Sequence, residues 1–388
     1  MMRMLVAAFL LVSVLVVVAV APGMVRGDER VAYRVAPDPP APVMSSPWVE
    51  GEHVYFATNE PANKIFKLEA ATGNVVWSRT MGTGRNGMRD SIVVVDGLLH
   101  VGTDNNTFAA LDAATGNTVW AFTPPPQKCW DAKWYRQCEA YSSPLIHAGR
   151  RFQGSEDATT RCFNATTGDL LWTQHAGDQV NNSPVVDPSG TAIWIAANDG
   201  FMYKLDVSTG KVLSKFQHCG SSHTKPAMDN ESGILFFSCF RPDPDNPSLR
   251  HGGIVYALNT TSNKALWEHQ GVGGTVLHIK ALNMVVVGRF DGTAYAADPI
   301  TGAVKWEVTN LPNPKEFFGP FVFDEERGRI YGATLRGMFY ALQPETGELL
   351  WDFQAGGMIP VPMGPRLSSD KMLVFFGSFD KHFYALNL

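Results

Sequence analysis

The sequence predicts an all-β fold, an eight-bladed β-propeller of four-stranded antiparallel blades whose ring is closed by strands from both ends of the chain. Three observations predict it. A Thr-Gly-x-x-x-Trp unit recurs through the chain at intervals of roughly 40–50 residues, the length of one blade. Short apolar strands alternate with turn residues, and no helical period lies between them. The last unit stops before its fourth strand, and the first residues of the repeat region supply one.

In chain order, residues 1–27 come first. Arg3 precedes an apolar run from Met4 to Ala21, relieved only by Ser13, and small residues then lead to Val25-Arg26-Gly27 before Asp28. This pattern predicts a secretory signal peptide cut after Gly27, with Ala19 or Ala21 as other cut points. The run is also just long enough for an uncleaved N-terminal anchor. Either way the remainder, 28–388, is delivered across a membrane: secreted, luminal, or periplasmic if the source is bacterial. No cysteine lies near the cleavage region, so a lipoprotein anchor is not supported.

Next comes Arg30-Val31-Ala32-Tyr33-Arg34-Val35, a strand without a preceding blade, which closes the eighth blade and removes its open edge. Seven units follow. Six place Trp77, Trp120, Trp172, Trp267, Trp306 and Trp351 at one register, and Ser214 stands there in the fourth; the fifth unit reads Ser262-Asn263 instead of Thr-Gly. A buried Trp removes roughly 150–250 Å² from water, about 4–6 kcal/mol of gross burial, so these residues are expected to dock each blade on the next. Blade 4, lacking the Trp, is expected to have the weakest junction.

Third strands end in motifs such as Tyr256-Ala257-Leu258-Asn259, and Asp112, Asn164, Asp206 and Asp298 at their ends are placed to cap the Thr-Gly turn. Hairpins such as Asn198-Asp199-Gly200 and Asp291-Gly292 join second to third strands. The eighth unit ends in Phe383-Tyr384-Ala385-Leu386-Asn387-Leu388. Tyr33 falls on the Trp register and completes it.

The Tyr-Ala-Leu-Asp…Thr-Gly-x-x-x-Trp unit resembles the repeat of pyrroloquinoline-quinone (PQQ) dehydrogenases and their non-enzymatic relatives. Those relatives include the propeller lipoprotein of the bacterial outer-membrane barrel-assembly machinery. The resemblance covers nearly all of 30–388 and implies the fold; its repeat residues hold blades together and touch no cofactor. For an enzyme it would imply PQQ, Ca²⁺ oxygen ligands, cationic clamps, a carboxylate base and often two adjacent cysteines. This sequence has no adjacent cysteine pair, and no calcium ligand set or base falls at a matching position. No Gly-x-Ser-x-Gly, P-loop or His-Glu-x-x-His motif is present either. The expectation is therefore a binding or scaffold protein with no catalytic residue, metal or cofactor; the alternative is a PQQ- and Ca-dependent oxidoreductase with an atypical site.

Composition agrees with an ordinary globular domain: 45% hydrophobic and 18% charged residues, with a net charge of −5. That balance favours neither nucleic acid nor an anionic membrane, which leaves a protein, peptide or glycan as the expected partner. Five cysteines allow two bridges and one free thiol. Candidate pairs are Cys129 with Cys138 and Cys219 with Cys239, and Cys162 is expected to be a buried, inert thiol. Asn105, Asn164, Asn181, Asn230 and Asn259 begin Asn-x-Ser/Thr sequons, acceptors for glycosylation only in a eukaryotic secretory pathway.

Strand polarity predicts that links from second to third strands, and from one blade to the next, share a face. The Thr-Gly turns emerge on the opposite one. All three length irregularities, 59–63, 123–141 and 240–252, belong to the first face. The 123–141 loop carries Trp130, Trp134, Tyr135 and Arg136 inside the Cys129–Cys138 pair, a candidate recognition surface; a plug over the propeller mouth is the alternative. The Pro-rich 241–246 stretch reads as a stiff solvated loop with oxygen groups that could hold Ca²⁺. His218 and His223 are the nearest functional histidines, with a structural or exposed role favoured.

Overall fold

The computed structural model describes residues 27–82, 87–88, 91–125, 138–140, 142–223, 225–242, 250–271, 274–313, 316–317, 319–360 and 364–388. Its strands form eight four-stranded antiparallel sheets. Blade 1 consists of Trp48–Glu50, His53–Ala57, Lys64–Glu69 and Val75–Thr80, hydrogen-bonded in that order. Blades 2 to 7 repeat the order over 93–122, 145–175, 185–217, 227–271, 274–308 and 322–354. Blade 8 joins Arg366–Leu367, Leu373–Gly377 and Phe383–Asn387 to the N-terminal strand Val31–Val35, with Tyr33 opposite Ala385. The predicted closure is thus present.

The core is divided among the blade junctions. Each of eight apolar clusters lies between two neighbouring blades, because each sheet buries one face on the next. The cluster between blades 2 and 3 is built on only Phe108, Ala110, Trp120, Ala140 and Phe163. First strands of adjacent blades touch, as those of blades 8 and 1, 1 and 2, 2 and 3, and 4 and 5 do, and so ring the axis.

The repeated motif is a contact between blades. Trp120, Trp172, Trp267 and Trp306 are buried, and their indole N–H groups donate to Ala165, Val207, Pro299 and Pro344 carbonyls in the next blade's turn, at 3.0, 3.1, 3.0 and 2.6 Å. Half-buried Trp77 donates to the Ala113 carbonyl at 3.3 Å. Tyr33 does the same job at the closure, its hydroxyl donating to the Ala70 carbonyl at 2.7 Å. The glycine of that next turn lies on the ring. A Cβ on Gly347 would fall 2.5 Å from Trp306, and the residue's φ of +74° is the left-handed region.

Two junctions depart from the rule. In blade 4 Ser214 presents no ring, and the residue at the glycine position of blade 5 is Asn263, also at positive φ, whose amide donates to the Lys215 carbonyl at 2.8 Å. The junction expected to be weakest is not bare, since fully buried Trp194 packs there beside Phe237 and Tyr256. In blade 7 the chain supplies no following Thr-Gly turn. Trp351 instead carries the guanidinium of Arg30 over its ring at 4.3 Å, from the short 3-10 turn Gly27–Arg30.

The capping role expected of the third-strand termini is present. Asp112 accepts from the backbone and hydroxyl of Thr115, both at 2.7 Å, and Asp206 and Asp298 hold Thr209 and Thr301 likewise. Asn164 accepts from the Thr166 and Thr167 amides.

Candidate functional site

The insertion-bearing face is built on pinned stems. Thr123 shares a hydroxyl–hydroxyl bond of 2.7 Å with Thr107 as the chain leaves blade 2. On return, the Glu139 amide donates to the Glu156 carboxylate at 3.1 Å, and the Glu156 amide donates to the Glu139 carbonyl at 2.9 Å. Ser155 donates to the Glu139 carbonyl at 3.2 Å, and the Ala140 amide donates to the Thr103 carbonyl, also at 3.2 Å. Beneath lies a buried ion pair, Arg161 to Asp157 at 2.5 Å, which Asn106 joins at 3.0 Å. Burial works to raise the Asp157 carboxyl, but Arg161's hydrogen bond and charge outweigh it and hold the group below its ordinary value.

Residues 126–137, and with them Trp130, Trp134, Tyr135, Arg136 and Cys129, lie outside the described residues. Cys138, at the foot of the loop, is buried and disulfide-bonded. Cys219 and Cys239 form the second expected bridge, with their Cα atoms 5.7 Å apart. Cys162 is free and buried, and burial pushes its thiol up to about 11.

The 240–252 insertion begins differently from the expected loop. Strands Ile234–Pro242 and Arg250–Asn259 continue their pairing outward, Phe240 opposite Gly253 and Arg241 opposite His251, so the segment leaves the blade as a β-ribbon. A near-continuous apolar run, buried on both faces, persists through Phe240 and sustains the ladder past the usual turn point. Its tip, 243–249, lies outside the described residues. His218 is buried edge-on to Phe237 and pushed down to about 4 by burial, and His223 meets Phe240 with ring centroids 5.0 Å apart. Both belong to the blade packing. Among the sequon asparagines Asn230 is exposed, Asn105, Asn164 and Asn259 are half-buried, and Asn181 is buried with its amide on Gln179 at 2.9 Å.

At the centre of this face, each first strand enters the axial channel from the insertion side. In five blades the entry residue precedes a proline: Ser46-Pro47, Ser143-Pro144, Ser183-Pro184, Lys225-Pro226 and Gly364-Pro365. Proline keeps its predecessor extended and carries no N–H to leave unpaired at the axis. Blade 5 alone among these places a cation there. Lys225 lines a cavity of about 140 Å³ with Ser143, Ser183 and the apolar Leu145 and Val185. Burial first, and then the charge of nearby Arg366, push its ammonium down to about 8. Arg366, the first residue of its own inner strand, is lowered by burial, sits over Trp48 at 5.7 Å and leaves Nε buried without a partner. Sequence reasoning missed both cations. The signal available was a Lys at the repeat position where other blades carry Ser before Pro.

Against the demands of PQQ with calcium, these residues supply positive charge but not the metal. Among the described residues no group of three His, Cys, Asp or Glu is placed to hold an ion.

Comparison with known proteins agrees with the repeat. The family described as outer membrane protein assembly factor BamB matches residues 29–129, 62–230, 124–270 and 290–387. A tetrathionate hydrolase of Acidithiobacillus ferrooxidans is 24% identical over 212 residues, 51% of this chain and 42% of that protein. The dehydrogenase subunit of a quinone alcohol dehydrogenase of Komagataeibacter europaeus is 26% identical over 316 residues, 76% of this chain and 36% of that protein. The chain thus spans less than half the length of these curated relatives. Among solved structures, BamB from Moraxella catarrhalis superposes with a TM-score of 0.69 at 13% identity, covering 92% of this chain and 98% of that one. A europium-containing methanol dehydrogenase gives 0.72 at 12% identity, covering 92% and 93%. At such identities the likeness is one of fold.

Proposed function

Because the chain belongs to the PQQ-type repeat family described as outer membrane protein assembly factor BamB, we propose that it is an exported propeller that binds a protein, peptide or glycan through its insertion-bearing face. The observation that carries this reading is the stem of the 123–141 loop. Its two ends are hydrogen-bonded into blades 2 and 3 and its return is held by bonded Cys138. A loop fixed at its base presents side chains at reduced entropic cost on binding. Trp130, Trp134, Tyr135 and Arg136 are the residue types that anchor interfaces, and a family described as an assembly factor favours a protein among the possible partners. Export rests on the apolar run Met4 to Ala21; among the described residues no helix is long and apolar enough to cross a membrane.

The test is partner capture with a photo-crosslinker at residue 134, comparing the natural chain with the combined Trp130→Ala, Tyr135→Ala variant. Capture by the natural chain that disappears in the variant at unchanged Tm is the expected result. Equal capture by both would remove the loop from the reading. The quinone alcohol dehydrogenase relative favours a second reading, a PQQ- and Ca-dependent oxidoreductase. Titration with PQQ plus Ca²⁺ distinguishes it, since stoichiometric binding with a shifted quinone absorbance belongs to that reading alone.

A further inference from the structure

We propose that the cavity between blades 8 and 1, on the face of the Thr-Gly turns, is a binding site for a small organic cation, a free amine or guanidine. It lies on the face opposite the insertions and so stands apart from partner recognition by the 123–141 loop.

The cavity measures about 570 Å³, within the roughly 300–1,000 Å³ of small-molecule sites. Its walls are the turns 51–53 and 69–72 of blade 1 and 368–370 of blade 8, with Leu373 beside them. The carboxylates of Glu52, Glu69 and Asp370 line it, and no lysine or arginine does. Two of the three are held from one oxygen only. Thr72 and Asn74 donate to Oε2 of Glu69 at 2.7 and 3.0 Å. The Ser368 hydroxyl and the Met372 amide donate to Oδ1 of Asp370 at 2.5 and 3.0 Å. Glu69 Oε1, Asp370 Oδ2 and the whole Glu52 carboxylate accept no hydrogen bond from another described residue.

Other junctions show what this space holds when the chain fills it. Between blades 7 and 8 the Arg327 guanidinium crosses from turn to turn, donating to Asp324 at 3.1 Å and to the Lys371 carbonyl at 2.6 Å. Between blades 5 and 6 the Lys280 ammonium pairs with Glu231 across the same two turns. Between blades 8 and 1 the bridging residue is Ser369, whose hydroxyl donates to the Gly51 carbonyl at 2.5 Å. The short side chain makes the contact and leaves the room of a long cation open between the carboxylates. A ligand nitrogen placed there would make the charge-assisted hydrogen bonds that Arg327 and Lys280 make in their own junctions. Among the described residues no three His, Cys, Asp or Glu are placed to hold a metal ion, so an organic cation is the complement that suits these walls.

The test is calorimetric titration of the full chain with agmatine and with spermidine at constant ionic strength, beside Mg²⁺ and the peptide Gly-Arg-Gly. Saturable one-to-one binding of either amine is the expected result. Glu52→Gln should weaken it about three- to fivefold, the scale of an exposed charge pair. Ser369→Arg should supply the cation from the chain itself, weaken binding roughly tenfold or more and leave Tm unchanged or higher. If Ser369→Arg fails to fold, Glu52→Gln still decides, because that carboxylate holds no other described residue in place. Absence of amine binding, or natural affinity in either folded variant, overturns the site. So does tighter binding of Mg²⁺, which would make it a metal site, or binding of the peptide alone, which would make it a contact for a protein partner.

Discussion

Arg151 is fully buried in blade 3 and meets no carboxylate among the described residues. Its guanidinium donates to the Ala109 and Val101 carbonyls at 3.0 and 2.8 Å and lies over the rings of Phe108, Trp120 and Phe163. Burial brings it down to about 9. Near it His100, only 1% exposed, is pushed down to about 3, first by burial and then by the charge of Arg151. The folded state thus binds its proton more weakly than the unfolded chain. The unfolded chain takes up the extra proton between its ordinary value near 6.5 and about 3. Stability should therefore be complete above that window and fall by about 1.4 kcal/mol per pH unit as pH drops through it. Denaturation curves from pH 7 to 4 should be flatter by up to that slope in His100→Leu; an unchanged slope would place the acid sensitivity elsewhere. Residue-level chemistry was only partly legible in the sequence. The buried thiol of Cys162 followed from the repeat register, and the Cys219–Cys239 pair was a candidate from the two strands of blade 5 that those residues flank. Lys225, Arg366 and Arg151 did not, because only ring closure brings blades 5 and 8 to one axis and folds blade 2 over blade 3.

At the scale of the element, Trp and Gly of the repeat are two halves of one contact, made across a blade junction. That explains a coincidence in the sequence. The blade lacking its Trp, at Ser214, is followed by the blade lacking its Gly, at Asn263, and the asparagine side chain bonds to the Lys215 backbone where the ring would lie. Ser214→Trp alone should be destabilising, since the indole meets the Asn263 side chain. Ser214→Trp with Asn263→Gly should recover the loss, with a coupling of about 1–3 kcal/mol in a double-mutant cycle. Additive effects would mean the two positions are independent. The sequence showed both departures as separate flaws in a motif. Their connection needed the neighbouring blade in view, as did the β-ribbon that carries 240–252 beyond its blade.

For the whole molecule, the number of blades and the closure were legible because the first and last strands complete one register. Tyr33 against Ala385 repeats Trp120 against Ala110 and Trp351 against Ala341. Deleting 28–35 removes that strand together with Arg30 from Trp351 and Tyr33 from Ala70. Blade 8 would then present the unpaired edge of Phe383–Asn387, a template for self-association. Light scattering should detect oligomers of the deleted chain and urea melts a lower midpoint; a monomer with the natural midpoint would show that the ring closes without it. The closing strand also fixes a direction. It occupies the fourth place in its blade, so it starts on the face of the Thr-Gly turns and runs toward the insertions, and Gly27–Arg30 packs beside blade 7 at that start. Gly27 therefore stands at the back of the disc. Chain geometry allows the stretch from Ala21 to Gly27 a reach of at most about 20 Å. If the apolar run stays in a bilayer, the propeller hangs close beneath it like a dish on a short stalk, with the face that holds Thr123 and Glu139 turned to the aqueous side.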